Sequence, residues 1–177
     1  MYYYTGKGDK GYTLIGNKAI SKSNKILNAI GDIDELNSLL GLSAANIEDN
    51  QVHKIIIDLQ KKLFIISSEI IGQVDKKFLP KESISKKDVK EIERIIKEYT
   101  SQIDKINYFV IPGGSISASY LQYSRSVTRR VERDIVLLQK KVQVSNNIFA
   151  FINRLSSLLF VLALFMNKKN KVDNIYI

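Results

Sequence analysis

Residues 51–73 read QVHKIIIDLQKKLFIISSEIIGQ. Ile56, Leu59, Leu63, Ile66 and Ile70 recur at intervals of three and four, which lines one face of an α-helix, and Gly72 is placed to stop it. The same period runs upstream in GDIDELNSLLGLSAANIE, residues 31–48, through Ile33, Leu36, Leu40 and Ala44. Asp32 or Asp34 suits the first turn there, so a helix is expected from about Gly31. Downstream, SISKKDVKEIERIIKEYTSQI at 83–103 is a more charged amphipathic helix, expected at the periphery. A fourth helix resumes after the break at Pro112, Gly113 and Gly114 and continues through about 141. The fifth, roughly 146–167, is apolar on most sides and belongs deep in a core. No segment alternates convincingly enough to build a sheet. The expected fold is all-α, an up-and-down bundle of about five helices at 31–167 in one domain. An irregular glycine-rich arm at 1–30 precedes it and a tail at 168–177 follows.

Composition bounds the chemistry. The 177 residues contain no cysteine, which excludes disulfides, thiolate zinc sites, iron–sulfur clusters and a cysteine nucleophile. No signal peptide is read at the N-terminus, and the longest apolar stretch, LSSLLFVLALFM, is too short for a membrane span and contains serines. A soluble cytoplasmic protein is expected. The net charge of +9 favours an anionic partner without choosing among nucleotide, nucleic acid and acidic membrane.

The arginines are distributed unevenly. Of 27 basic residues six are arginine, and four of those lie in RSVTRRVER at 125–133. Tyr120, Ser124, Val127, Val131, Ile135 and Leu138 form the core side of that helix. Arg125, Arg129 and Arg133 make a ridge elsewhere with Glu132 beside it, and Arg130 sits further round. Two readings stay open. One is a solvated face with Arg129 and Glu132 paired at i, i+3. The other is a polyphosphate grip, which needs the planar fork of guanidinium where lysine serves every other exposed face.

The stretch TGKGDKG at 5–11 lacks Walker spacing and follows no strand. Its glycines form either a backbone nest facing an anion or a flexible arm. The one histidine, His53, belongs to no Glu-x-x-His pair, so a di-iron bundle is excluded, and it reads as a surface residue at a helix start. With no cysteine and one isolated histidine, the usual pairing of nucleophile and base is absent, and a substrate must bring its own nucleophile.

Five stretches, YTGKGDKGYT, GDIDELNSLLG, FVIPGG, RSVTRRVERDIV and FINRLSSLLFVLA, together resemble the PduO-type ATP:cob(I)alamin adenosyltransferases over about residues 3–167. The resemblance implies a five-helix bundle that forms a homotrimer with active sites between subunits. There ATP and Mg²⁺ bind, and Co(I) of cobalamin attacks the 5′ carbon of ATP, releasing triphosphate. It places ATP contacts at Thr5, Gly6, Lys7, Gly8, Thr13, Lys22, Arg129, Arg130, Glu132, Arg133 and Asn153. Asp34 would pair with Arg125 of the adjacent subunit. Phe109 would fill the space under the corrin and displace its lower axial ligand, and Phe160 would line the corrin pocket. Implied partners are a corrinoid reductase and an adenosylcobalamin-dependent enzyme, with no nucleic acid and no membrane. The sequence departs from the pattern at Gly6, where the family usually has arginine, and at Ser157, where it usually has an acid.

Two other classes compete with this reading. A basic helical module would bind nucleic acid with steep salt dependence, although no helix-turn-helix or interleaved aromatic platform accompanies the arginines. A noncatalytic trimeric bundle would bind ATP or cobalamin without forming product.

Overall fold

The computed structural model describes Tyr4, residues 6–139 and residues 142–177. Five long helices dominate: α1 (Lys25–Ala45), α2 (Asn50–Ile71), α3 (Lys86–Thr100), α4 (Ile116–Leu138) and α5 (Asn146–Lys169). A short antiparallel hairpin, β1 (Tyr12–Ile15) with β2 (Lys18–Ser21), stands where the sequence suggested no strand. Its four-residue strands are mostly exposed, so no hydrophobic alternation announces them. The two-residue turn has Gly16 at its first position with φ +59°, the left-handed region that glycine enters without steric cost.

Each helix begins where a short polar side chain takes up its first free N–H groups. Asn24 accepts from Ile26 N at 2.9 Å, so α1 starts at Lys25 and not near Gly31, which lies inside the helix. Asp49 accepts from Gln51 N and Val52 N, both at 2.9 Å, and opens α2. Ser85 and Asp88 form a reciprocal capping box on α3. Ser115 and Ser145 cap α4 and α5.

The stripes meet in the order α2, α1, α4, α5, α3: α1 packs on α2 and α4, and α5 on α4 and α3. Ile56, Leu59, Leu63, Ile66 and Ile70 are buried as expected, and so are Ile33, Leu36, Leu40 and Ala44. Each fully buried Leu or Ile contributes about 1.5–3 kcal/mol. On α4, Leu121 is fully buried and Tyr120 only partly, so the core face is turned slightly from the one expected. Helix α3 buries only Ile92 and Tyr99, as a peripheral helix does. By length and composition α5 could cross a membrane, since it extends beyond the apolar run read from the sequence. Its large side chains are instead mostly buried within the bundle.

The hairpin is docked on the chain just beyond α2. Lys18 Nζ donates to Val74 O at 2.7 Å, and a Cβ at Gly16 would fall 1.9 Å from Asp75 Oδ2. At the other end the tail turns back: Ile111 N donates to Ile175 O at 2.9 Å and Ile177 N to Phe109 O at 3.0 Å.

Candidate active site

The four arginines of α4 have four different environments. Arg125 is half-buried, donates from Nε to Gln122 Oε1 at 3.1 Å and lies 5.5 Å from the centroid of the Phe160 ring. Burial, and then the neighbouring charge of Arg129, pull its pKa below the ordinary arginine value, though it stays charged. Arg130 leans onto α1, with an ion pair to Glu35 and its Nε 3.3 Å from Asp32 Oδ1. Its Nε makes no aligned hydrogen bond there. Burial, and the Asp32 carboxylate that shares a hydrogen bond with it, push the nearby Asp134 carboxyl up.

Arg129 and Arg133 are exposed and have no ion pair or hydrogen bond to any described residue. The expected partner, Glu132, is engaged elsewhere. Asn153 Nδ2 donates to Glu132 Oε1 at 2.8 Å, Arg154 Nη1 donates to Asn153 Oδ1 at 2.9 Å, and Arg154 Nε donates to Glu93 Oε1 at 3.1 Å. This chain of bonds joins α4, α5 and α3 and turns the Glu132 carboxylate toward Asn153.

In the arm, Gly6 and Gly11 hold positive φ angles of +65° and +79°. Lys22 N donates to Gly11 O at 2.9 Å, and the Lys22 ammonium lies 3.0 Å from where a Gly8 Cβ would be. The Lys22 side chain, from just beyond β2, thus reaches the turn that holds Gly6 and Gly8, with Thr13 following on β1 opposite Ile20. Lys7 lies in the same turn, and Thr5 falls outside the described residues. Asp34 is exposed on α1, without a described partner.

Phe109 is 82% exposed, so it is not packing into the core before a turn. Its backbone is tied to the tail while its ring projects outward. Phe160 lines a largely apolar cavity of about 340 Å³ with Ile103, Ile106, Val161 and Leu164.

Sequence reading missed Asp32 and Glu35 as the holders of Arg130, and Arg154 as the support of Asn153. Arg154 carried a signal, being one of only two arginines outside the 125–133 cluster. The carboxylates of α1 carried none, because their partner is 95 residues away in sequence for Glu35.

Guanidinium groups without a counter-ion among the described residues form a receptor for an anion from solution, and the apolar pocket at Phe160, whose ring lies near Arg125, suits a second, less polar guest. That combination on a helical bundle defines a protein that brings an anionic and an apolar ligand together. The chain belongs to the cobalamin adenosyltransferase family, whose model matches residues 3–166. It is 30% identical to the corrinoid adenosyltransferase of Bacillus subtilis (strain 168), covering 99% of this chain and 91% of that one. With the corrinoid adenosyltransferase PduO of Salmonella typhimurium it shares 32% identity over 92% of this chain, spanning 49% of that longer relative. A variant of the PduO-type ATP:corrinoid adenosyltransferase from Lactobacillus reuteri, complexed with cobalamin and ATP, superposes with a TM-score of 0.91 at 30% identity. The match covers 99% of this chain and 96% of that one.

Proposed function

We propose that this chain transfers the 5′-deoxyadenosyl group of ATP to Co(I) of cobalamin, working as one adenosyltransferase unit in the cytoplasm. The observation that carries this proposal is the pair Arg129 and Arg133, exposed without a partner among the described residues while Asn153 holds Glu132. The Co(I) lone pair forms the Co–C bond to C5′, the C5′–O bond breaks, and triphosphate leaves with that electron pair. Arg129 and Arg133 grip the triphosphate oxygens, Arg130 is aimed from its tether on Asp32 and Glu35, and Glu132 with Asn153 orients the nucleotide. Preorganised donors of this kind are worth about 2.7–4 kcal/mol each at a developing charge.

Gly6, Lys7, Gly8, Thr13 and Lys22, with Thr5, supply the other wall of the nucleotide site. We assign this arm to the arginine ridge of a neighbouring copy in a homotrimer. Asp34 would meet Arg125 across that interface. No group of three or more His, Asp or Glu among the described residues is arranged to hold a metal ion. Mg²⁺ would be carried by the phosphates, with Glu132 the carboxylate that would hold its water. Bound there, Mg²⁺ would lower the charge of the leaving group.

Phe109 occupies the space below the corrin and keeps the lower axial ligand from cobalt, which makes Co(II) easier to reduce. Phe160 lines the corrin pocket. A corrinoid reductase would deliver the electron and an adenosylcobalamin-dependent enzyme would receive the product. The test is anaerobic: purified protein, chemically reduced cob(I)alamin, ATP and Mg²⁺, followed by absorbance. Catalytic appearance of adenosylcobalamin is expected, and a folded trimer that forms no product would overturn the reading.

A further inference from the structure

An exposed aromatic ring displaces a ligand efficiently only if its backbone is held; otherwise part of the binding energy is spent on ordering the loop. Phe109 has such a support, and it leads to one buried side chain. The carbonyl of Phe109 accepts from Ile177 N and the amide of Ile111 donates to Ile175 O, so the tail flanks the ring on its backbone side. The tail is anchored one step earlier, where Asn174 Oδ1 accepts from Asn167 Nδ2 at 3.0 Å.

Asn167, on the last turn of α5, is 3% exposed. Its Nδ2 also donates to Gly113 O at 3.0 Å, and its Oδ1 accepts from Ser115 N at 2.8 Å and Ser115 Oγ at 3.1 Å. The amide orientation follows from these partners, because the flipped group would set N–H against N–H at Ser115. The main-chain carbonyl of Asn167 accepts from Val172 N at 2.9 Å, which starts the tail's return. Gly114, with φ +104°, leaves room for the amide: a Cβ there would fall 2.3 Å from Asn167 Oδ1.

We infer that Asn167 is the positioning residue for Phe109, fixing through one buried amide both the Gly113–Ser115 turn that follows the ring and the tail that pairs with its backbone. The inference rests on the corrin role proposed for Phe109. Asn167 itself lies behind the loop and acts through it.

The experiment compares two rates in each variant: adenosylation from cob(II)alamin with reduced flavin as electron donor, and adenosylation from chemically reduced cob(I)alamin. Asn167→Asp keeps the shape but turns a carboxylate oxygen toward Gly113 O and Asn174 Oδ1. The ratio of the Co(II)-started to the Co(I)-started rate is expected to fall at least about five-fold, with KM for ATP changed by less than about two-fold. The electron paramagnetic resonance signal of four-coordinate Co(II) should weaken in parallel. Asn174→Ala, a milder change, should lower the ratio by about two-fold or more, and it decides alone if Asn167→Asp does not fold. An unchanged ratio in the folded variants overturns the inference. Phe109→Ala in the same assays separates the two ideas. If it lowers the ratio while the asparagine variants do not, only the role of Asn167 fails. If it leaves the ratio unchanged, the corrin role of Phe109 fails first.

Discussion

Asn153 on α5 donates its side-chain amide to Glu132 on α4 at 2.8 Å, and this bond decides what α4 presents to solvent. Glu132 stands three residues after Arg129, where a helix ordinarily lets opposite charges pair. Turned toward Asn153, it leaves the guanidinium of Arg129 available to an incoming anion.

Arg129→Lys preserves the charge and loses the bidentate fork. Turnover should fall about 10²–10³-fold, corresponding to about 2.7–4 kcal/mol, with far-UV circular dichroism and melting temperature retained. Near-normal turnover would remove Arg129 from the triphosphate site.

In the proposed trimer Asp34→Arg should weaken assembly and activity together, since a like charge would then face Arg125 of the neighbouring copy. Combining it with Arg125→Asp should restore much of the assembly, because the pair is reversed and not removed, with a coupling of about 1.5 kcal/mol or more. Sedimentation equilibrium reads this directly. Equal assembly in all variants would show that the two residues do not meet.

Gly16→Ala forces a side chain into the left-handed region, at about 1–2 kcal/mol, and drives its Cβ to 1.9 Å from Asp75 Oδ2. The hairpin should come away from the chain beyond α2 and carry Thr13 and Lys22 with it. A higher KM for ATP with nearly unchanged helix content is expected. An unaltered KM would mean that the hairpin does not shape the nucleotide site.

Asp88 supplies an acid-sensitive contribution to stability. Burial opposes its ionisation, but hydrogen bonds from Lys62 and Ser85 outweigh burial and lower its pKa to about 2. A carboxyl held below its unfolded value stabilises the fold above roughly pH 4, and that stabilisation is lost as pH falls toward the folded value. Asp88→Ala should therefore cost about 1–2 kcal/mol near neutral pH, and the difference from the parent should shrink as pH falls through about 2. Parallel denaturant titrations at the two pH values check the sign.

Much of the bundle was legible because its helices bury one face each, and a buried face must repeat at the helical period. Leu63 and Ile66 could be placed from spacing alone. The start of α1 was not, because Asn24 caps it ahead of any apolar stripe, while Gly31 looks like a boundary and is interior. The hairpin escaped for a related reason: it is held by Lys18 on Val74 and by the close approach of Gly16 to Asp75, contacts that leave no periodic trace. In the site, the unusual concentration of arginine was visible, but their separate fates were not. Arg130 is tethered by carboxylates on α1, Arg125 rests near Phe160, and Arg129 and Arg133 have no partner among the described residues. Such differences are set by which helix lies opposite, information that a single sequence does not contain.

The Phe160 ring faces two ways, toward the guanidinium of Arg125 at 5.5 Å and into the cavity formed with Ile103, Val161 and Leu164. An apolar guest that shifts the ring also shifts the surface on which the cation rests, at a cost or gain on the order of 0.5–2 kcal/mol for a cation and ring in partial burial. For an anion held by Arg125, linkage makes that exchange symmetrical: whatever factor the apolar guest contributes to the anion's dissociation constant, it must receive in return. Titrating either guest in the presence and absence of the other would measure one number twice.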